Sequence, residues 1–249
     1  MASPRITLLG IPIDAVTQTQ AIEKLRVLVT QPGQHHVMTP NSEMLVASVR
    51  DATFRSVLQK SALNLPDSIG LVWMAKMTGQ HLPERVTGVD TVTKFLTTLS
   101  PEHSVFLLGS APGIADRAAE TLMQMNAQLN IVGTHAGSPR DEDAPAIIEK
   151  IRSALPSILL VAYGAPAQDL WVDQHLASLP SVRLAMGVGG TFDFLAGTRK
   201  RAPLILQSLG LEWMWRLLLE PKRWKRIWNA VVVFPWFVLR YGKETPVSA

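Results

Sequence analysis

The 249-residue chain contains no cysteine, which excludes disulfides, thiolate metal sites and cysteine nucleophiles. With 47 % hydrophobic and 18 % charged residues it is not a disordered chain and can bury a sizeable core. The net charge of +4 hides an asymmetry: residues 199–244 hold ten Lys/Arg against three Asp/Glu, and the remainder holds fourteen against seventeen. The C-terminal segment therefore carries the whole positive excess and calls for an anionic partner.

Residues 1–14 have no long apolar stretch and no small-residue cleavage site, so no signal peptide is expected. Residues 6–9 read as a strand, and 17–29 as a helix with Ala21, Leu25 and Leu28 on one face. A short strand at 36–38 runs into Thr39-Pro40-Asn41-Ser42, where Ser42 is expected to cap a helix through Leu58. An extended run at 63–65 ends in Pro66-Asp67-Ser68-Ile69-Gly70, and a helix is expected from about Asp90 through Leu99. The middle of the chain is more regular. A strand at 104–108 and a glycine turn at 109–113 precede a helix with Ile114, Ala118, Leu122 and Met125 at a 3.6-residue period. Then come a strand at 130–133, a helix at 144–155, a strand at 158–163, a helix ending at Leu179, and a strand at 183–186 followed by residues 187–193. This alternation predicts an α/β, Rossmann-like fold: a mostly parallel sheet with helices on both faces.

The α/β body is expected to span residues 1–197 and a C-terminal helical, membrane-associating appendage residues 198–249. The appendage opens with Arg199-Lys200-Arg201-Ala202-Pro203, continues helix-like to Glu220, and ends in an apolar run at 227–239. That run contains Asn229 and Pro235 and falls short of the about 20 apolar residues that a spanning helix needs. Five of the seven tryptophans, Trp213, Trp215, Trp224, Trp228 and Trp236, lie in the appendage. An amphipathic indole favours the lipid interface, so the segment is expected to lie in the membrane surface rather than cross it.

Ligands of open parallel sheets bind beyond the carboxyl ends of the strands. Here those ends carry Thr39 and Asn41, Asp67, the glycine turn at 109–113, residues 135–138, residues 164–168, and residues 187–193 with Gly189, Gly190 and Asp193. Glycine admits a phosphate close to backbone N–H groups, so the set suggests an anionic ligand such as a nucleotide diphosphate. Taken singly, each glycine at a strand–helix turn is more often simple turn chemistry than a ligand contact. There is neither a P-loop nor a complete GxGxxG, which disfavours a P-loop kinase or a standard NAD enzyme. Asp67 is the best-placed carboxylate for acid–base work, although a lone Asp in a Pro-Asp-Ser turn also serves as a helix N-cap. Asp90 and Asp193 carry the same ambiguity. The six histidines form no metal-ligand spacing and no DxD-like pair follows an apolar strand, so no metal is expected. Arg216, Arg223 and Arg226 would share one face of an unbroken helix and offer bidentate forks for phosphate oxygens, but Pro221 interrupts that helix.

These stretches resemble the WecG/TagA/CpsF family of glycosyltransferases over nearly the whole chain. The matching motifs are Gly10-Ile11-Pro12-Ile13-Asp14, Thr39-Pro40-Asn41-Ser42-Glu43, Pro66-Asp67, Glu84-Arg85-Val86-Thr87-Gly88-Val89-Asp90 and Leu107-Leu108-Gly109. Downstream are Val132-Gly133-Thr134-His135, Gly164-Ala165-Pro166-Ala167-Gln168, Gly187-Val188-Gly189-Gly190-Thr191-Phe192-Asp193, Arg201-Ala202-Pro203, Leu209-Gly210-Leu211-Glu212-Trp213 and Glu220-Pro221. The resemblance implies inverting transfer of a hexose, N-acetylmannosamine or its uronic acid, from a UDP-sugar to a polyprenyl-diphosphate-linked sugar. It implies work without an obligatory metal or other cofactor, peripherally on the inner face of the plasma membrane, in cell-envelope polysaccharide synthesis. By position it makes Asp67 the general base. Thr39, Asn41, Arg85 and Gln168 match polar residues of the donor and sugar site, and Arg216, Arg223 and Arg226 the arginines that neutralise the diphosphate. Gly109, Gly189, Gly190 and Asp193 join the expected substrate site. Self-association through the apolar appendage is compatible with this reading, whereas nucleic-acid binding is not expected. The chain departs from the family pattern at Ser68, where a glycine is usual, at Asp169, where a glutamate is usual, and at Ser138-Pro139, where some members carry an aromatic.

Overall fold

The computed structural model describes residues 4–203, 205, 206 and 210–246, apart from the Arg216 side chain. Strands β1 (Arg5–Leu8) and β2 (Ile11–Asp14) form an antiparallel hairpin. The remaining strands build a six-stranded parallel sheet from β3 (His35–Met38), β4 (Leu63–Asn64), β5 (Ser104–Gly109), β6 (Asn130–His135), β7 (Ile158–Ala162) and β8 (Leu184–Gly187). Their spatial order is β4-β3-β8-β7-β5-β6, every neighbouring pair parallel. The sequence Ile-Leu-Leu-Val-Ala of β7 is buried at every position, as expected for a parallel strand covered on both faces. Strand alternation divides the core. Val105, Leu107, Ile158 and Leu160 face helices α1 (Gln18–Thr30), α5 (Gly88–Thr97), α6 (Ile114–Met125) and α9 (Thr191–Leu195). Phe106, Leu108, Leu159 and Val161 face α7 (Ala144–Ala154) and α8 (Ala167–His175). The expected Rossmann-like sheet with helices on both faces is present.

The structure corrects three local expectations. The helix expected from Ser42 to Leu58 is two helices, α2 (Ser42–Arg50) and α3 (Ala52–Lys60). Asp51 leaves the helical region between them, at φ −126° and ψ 106°, and its carboxylate accepts from the Phe54 N–H at 3.0 Å. Asn41, not Ser42, caps α2, accepting from the Met44 N–H at 3.0 Å. Helix α4 (Ile69–Met77) follows Asp67, where the sequence offered only a turn. Its residues are apolar on nearly every side, so they leave no 3.6-residue pattern to read.

The C-terminal segment contains α10 (Glu212–Leu219), a 3-10 turn at Pro221–Arg223, α11 (Trp224–Trp228), a π turn at Asn229–Val233, and α12 (Phe234–Tyr241). Asn229 and Phe234 have helical dihedrals, so residues 224–241 form one rod. Pro235, expected as an interruption, directly follows the π turn and does not break the rod. The inner face of this rod belongs to the body's core. Phe234 and Val238 are fully buried with Ile11, Ile13, Met44, Leu45, Leu71 and Ala75, between the hairpin, α2, α3 and α4. The chain then returns to the hairpin tip, where the N–H groups of Leu9 and Gly10 donate to the Gly242 and Lys243 carbonyls at 3.1 and 3.0 Å. Among the described residues, no helix is long and apolar enough to cross a membrane.

A second tie lies at the other end of the segment, where Arg201 grips Asp90 of α5 at 2.5 Å. Burial works to raise the Asp90 carboxyl, but the Arg201 and Thr87 hydrogen bonds and the Arg201 and Lys94 charges outweigh it and hold it below the ordinary carboxylate value. A lowered folded-state pKa contributes stability that is complete above the unfolded value, about 4, and is lost as the pH falls through the folded value. Asp90→Asn should therefore lower stability at neutral pH by about 1 kcal/mol or less, since the pair is partly exposed. Thermal melts of the two proteins should converge as the pH drops below about 4. Phe234→Ala should cost about 3–5 kcal/mol in denaturant unfolding, the range for truncating a fully buried aromatic.

Candidate active site

Two cavities lie at the carboxyl end of the sheet and share a wall. The larger, about 520 Å³, runs over the ends of β3, β7 and β8 and is roofed by the start of the C-terminal segment. The smaller, about 280 Å³, lies between α2, α4 and the C-terminal rod. Asn41, Asp67, Glu212, Arg223 and Arg226 line both. Thr39, Gln168, Gly189 and Gly190 line the larger only, and Arg85 the smaller only. The structure thus brings together eight of the candidate residues with Asp67 at their junction. Gly109 and Asp193 line neither cavity. A Cβ at Gly109, at φ +111°, would lie 2.7 Å from the Ala162 carbonyl carbon, so close strand packing explains that glycine. Asp193 lies within α9, 3.8 Å from Arg199. The Arg216 side chain lies outside the described residues, although its backbone is in α10.

Asp67 sits where β4 gives way to α4, with its N–H donating to the Pro40 carbonyl at 2.9 Å. The N-cap of α4 is Ser68, whose hydroxyl accepts from the Leu71 N–H at 3.4 Å. Capping therefore does not consume the Asp67 carboxylate, and the serine found where the family pattern has glycine performs it. Ser68 also meets the Ser42 hydroxyl at 3.0 Å, tying the turn that carries Asp67 to the first residue of α2. Asp90 is likewise not a cap: Thr87 caps α5, and Asp90 turns to Arg201.

Gln168 is 3 % exposed, and its amide oxygen accepts from the N–H groups of Gly164 and Gly189 at 3.0 and 2.9 Å. One side chain thus holds the loops after β7 and β8 at a fixed separation. Beneath it, Asp169 is fully buried, 3.7 Å from His36 Nε2. The Asp169 carboxyl and the Gln168 amide press on Gly187 so closely that no side chain fits there. The N-termini of α5 and α8 both face the larger cavity through Gly88, Val89, Gly164 and Ala165. The positive ends of their helix dipoles favour negative charge.

The walls are strongly charged. Arg199, Lys200, Arg201, Arg223 and Arg226 face the larger cavity against Asp67, Glu212 and Glu220. Arg199, Lys200 and Arg201, expected only as the start of the appendage, and Glu212 and Glu220 are thus site-lining residues that the sequence does not single out. Their placement depends on the chain folding back over the sheet, which no local pattern announces. Arg226 pairs with Glu43 at 2.6 Å and Arg223 with Glu220 at 2.5 Å, while Arg85 pairs with Glu212. The Glu43 hydrogen bond, against the opposing effect of burial, raises the Arg226 guanidinium above its ordinary value, so it is a permanent cation here. The smaller cavity adds an apolar wall of Ile69, Trp73, Trp213, Ile227, Val231 and Pro235. Among the described residues, no group of three or more His, Asp or Glu side chains gathers at metal-binding distance. The turn after β6 lies outside both cavities. Ser138 and Arg140 bind Asp143 there, and His135 meets Lys150.

Asp67 thus stands at the junction of a cationic cavity and a half-apolar one. The model of the glycosyl transferase WecG/TagA/CpsF family matches residues 6–247. The N-acetylglucosaminyldiphosphoundecaprenol N-acetyl-beta-D-mannosaminyltransferase of Bacillus subtilis (strain 168) is 31 % identical over 192 residues, covering 77 % of this chain and 74 % of the relative. The Bacillus spizizenii protein of that name is similar to the same extent. The Staphylococcus aureus protein of the same name is 25 % identical over 242 residues, covering 96 % and 92 %. With the motifs in order and the fold and cavities in place, the chain belongs to the WecG/TagA/CpsF family and is a glycosyltransferase.

Proposed function

We propose that the enzyme moves a hexose, N-acetylmannosamine or its uronic acid, from a UDP-sugar to a polyprenyl-diphosphate-linked sugar, with inversion at the transferred carbon. The observation that carries this reading is the position of Asp67 on the wall common to the two cavities. The larger cavity is of a size suited to a nucleotide sugar. Its helix N-termini, glycine loops and arginines suit a diphosphate. The smaller joins the same Arg223 and Arg226 to an apolar wall, a combination that suits a diphosphate carrying a hydrocarbon chain. The named relatives act on a diphosphoundecaprenol-linked sugar, as their names state.

In this scheme the acceptor hydroxyl enters from the smaller cavity and gives its proton to the Asp67 carboxylate. Its oxygen bonds the anomeric carbon from the face opposite UDP, and the bond from that carbon to the β-phosphate oxygen breaks. UDP leaves with the electron pair, and its growing negative charge falls to the guanidinium groups that face the cavity. Thr39, Asn41 and Gln168 shape the donor side, and Arg85 belongs to the acceptor side. No cofactor is assigned, and charge neutralisation rests on the arginines.

The outer face of the C-terminal rod supports peripheral attachment to the membrane where such an acceptor resides. Trp224, Trp228, Val231, Val232, Trp236 and Leu239 are all exposed and recur at helical spacing. Lys225 lies over the Trp224 ring and Arg240 over the Trp236 ring, at 5.7 and 5.8 Å. Indoles bearing cations suit an anionic lipid interface. On this reading the site faces the inner leaflet from the cytoplasm.

Asp67→Asn should lower the turnover number for transfer about 10²–10⁴-fold, the range for a lost general base, and leave UDP binding by calorimetry within about twofold. Near-normal transfer by this variant would sink the base assignment. A panel of UDP-sugars with a lipid-diphosphate-sugar acceptor, read by UDP release, should give turnover with an N-acetylmannosamine-type donor. Turnover with UDP-glucose alone would replace the donor but keep the scaffold's reading. Trp228→Ser with Trp236→Ser should weaken sedimentation with anionic vesicles at least tenfold, since each indole buries on the order of 2 kcal/mol of apolar surface.

A further inference from the structure

Helix α4 contains one charged residue, Lys76, in its nine positions. Leu71 and Ala75 are buried in the core that also receives Phe234 and Val238, and Val72 and Met74 pack against that core. Trp73 and Met77 do neither. They lie four residues apart, on one face of the helix, and are 58 % and 65 % exposed. An exposed indole and thioether side by side make an apolar patch on the helix surface.

Trp73 shares the wall of the smaller cavity with Ile227, Ala230, Val231 and Pro235 of the C-terminal rod, and α4 packs directly against α12. The exposed face of α4 is therefore continuous with the apolar stripe of that rod. We propose that α4 is a second membrane-seating element: Trp73 and Met77 enter the boundary between headgroups and acyl chains of an anionic lipid surface, beside the C-terminal rod. This rests on the membrane reading of the rod given above. The occupant is lipid because the adjoining rod sets the cations Lys225 and Arg240 over its exposed tryptophans, and because Lys76, the exposed neighbour of Met77, adds a further cation on α4. The two elements would then form the two banks of the smaller cavity, with its apolar wall opening into the bilayer and Asp67 above the interface.

The absence of cysteine allows one residue at a time to be labelled in the full chain. Met77→Cys, Leu239→Cys and, on α6, Met123→Cys would each carry an environment-sensitive fluorophore and be mixed with vesicles of phosphatidylethanolamine and phosphatidylglycerol. The expected result is a blue shift at positions 77 and 239, quenched by brominated lipid, and none at 123. A shift at 239 without one at 77 overturns the proposal and leaves the rod's attachment standing. Silence at both overturns the attachment and the proposal together. A shift at 77 that grows with protein concentration before any vesicle is added assigns the face to a second copy of the chain and overturns the proposal. Met77→Glu, which lines neither cavity, should weaken vesicle partition about tenfold, equivalent to one lost buried methionine side chain. Unchanged partition would again overturn it.

Discussion

Phe234 and Val238 enter the core between the hairpin and helices α2, α3 and α4, and their burial fixes where the charge and aromatic surface of the C-terminal segment can lie. A helix that carries both cations and tryptophans would otherwise have no preferred seat on a mildly acidic body. With its inner face anchored, the preceding turn must run over the strand ends, and Arg223 and Arg226 come to face Asp67 across a shared wall. The hydrogen bonds from the hairpin tip to Gly242 and Lys243 close the far end of the same attachment. The order of dependence runs from apolar packing to helix placement and from there to electrostatics.

The electrostatics in turn are balanced from both sides. Each described arginine of the site has a carboxylate of the body or of its own segment close by: Glu43 for Arg226, Glu220 for Arg223, Glu212 for Arg85, Asp90 for Arg201. So many guanidinium groups in one place would repel one another if unpaired, and desolvation would add to the cost. Of these four carboxylates, Glu43 and Asp90 come from the body and Glu212 and Glu220 from the segment itself. Such pairs are half-exposed and individually weak. Phosphate oxygens can take the place of carboxylates on the same planar forks without rebuilding the arginines' positions.

The sheet was legible because its signals are local. Fully apolar runs such as 158–162 and the 3.6-residue rhythm of Ile114, Ala118 and Leu122 need no distant contact to be read. Boundaries were less legible. Asp51 splits a helix that reads as continuous from Ser42 to Leu58, and Asn41 takes the cap expected of Ser42, a choice of backbone geometry that residue type does not reveal. Helix α4 was invisible because apolar residues on all sides carry no period. At the site, motif resemblance pointed to Asp67, Asn41 and Gln168. The basic run at 199–201 and Glu212 are not site residues by sequence, even where they belong to matching motifs, since only the return of the chain over the sheet turns them inward. Gly109 shows the converse: its glycine looks like phosphate chemistry in sequence and is a packing requirement in space.

The rod spanning residues 224–241 has two apolar faces with different fates, and that explains its unusual composition. The face with Phe234 and Val238 stabilises the fold, while the face with Trp228, Trp236 and Leu239 remains in water in the isolated chain. Apolar surface in water is unfavourable at roughly 25 cal/mol per Å², so the second face holds free energy that a lipid surface would release on contact. The rod is fixed rigidly to the core, so that contact cannot be made by the rod alone and must orient the whole body. The smaller cavity, lined by Ile227, Ala230 and Val231 of the rod and by Trp73 of α4, would turn with it. The face with Phe234 and Val238 thus secures the fold, and under the proposed membrane seating the opposite face of the same helix would set which way the site faces.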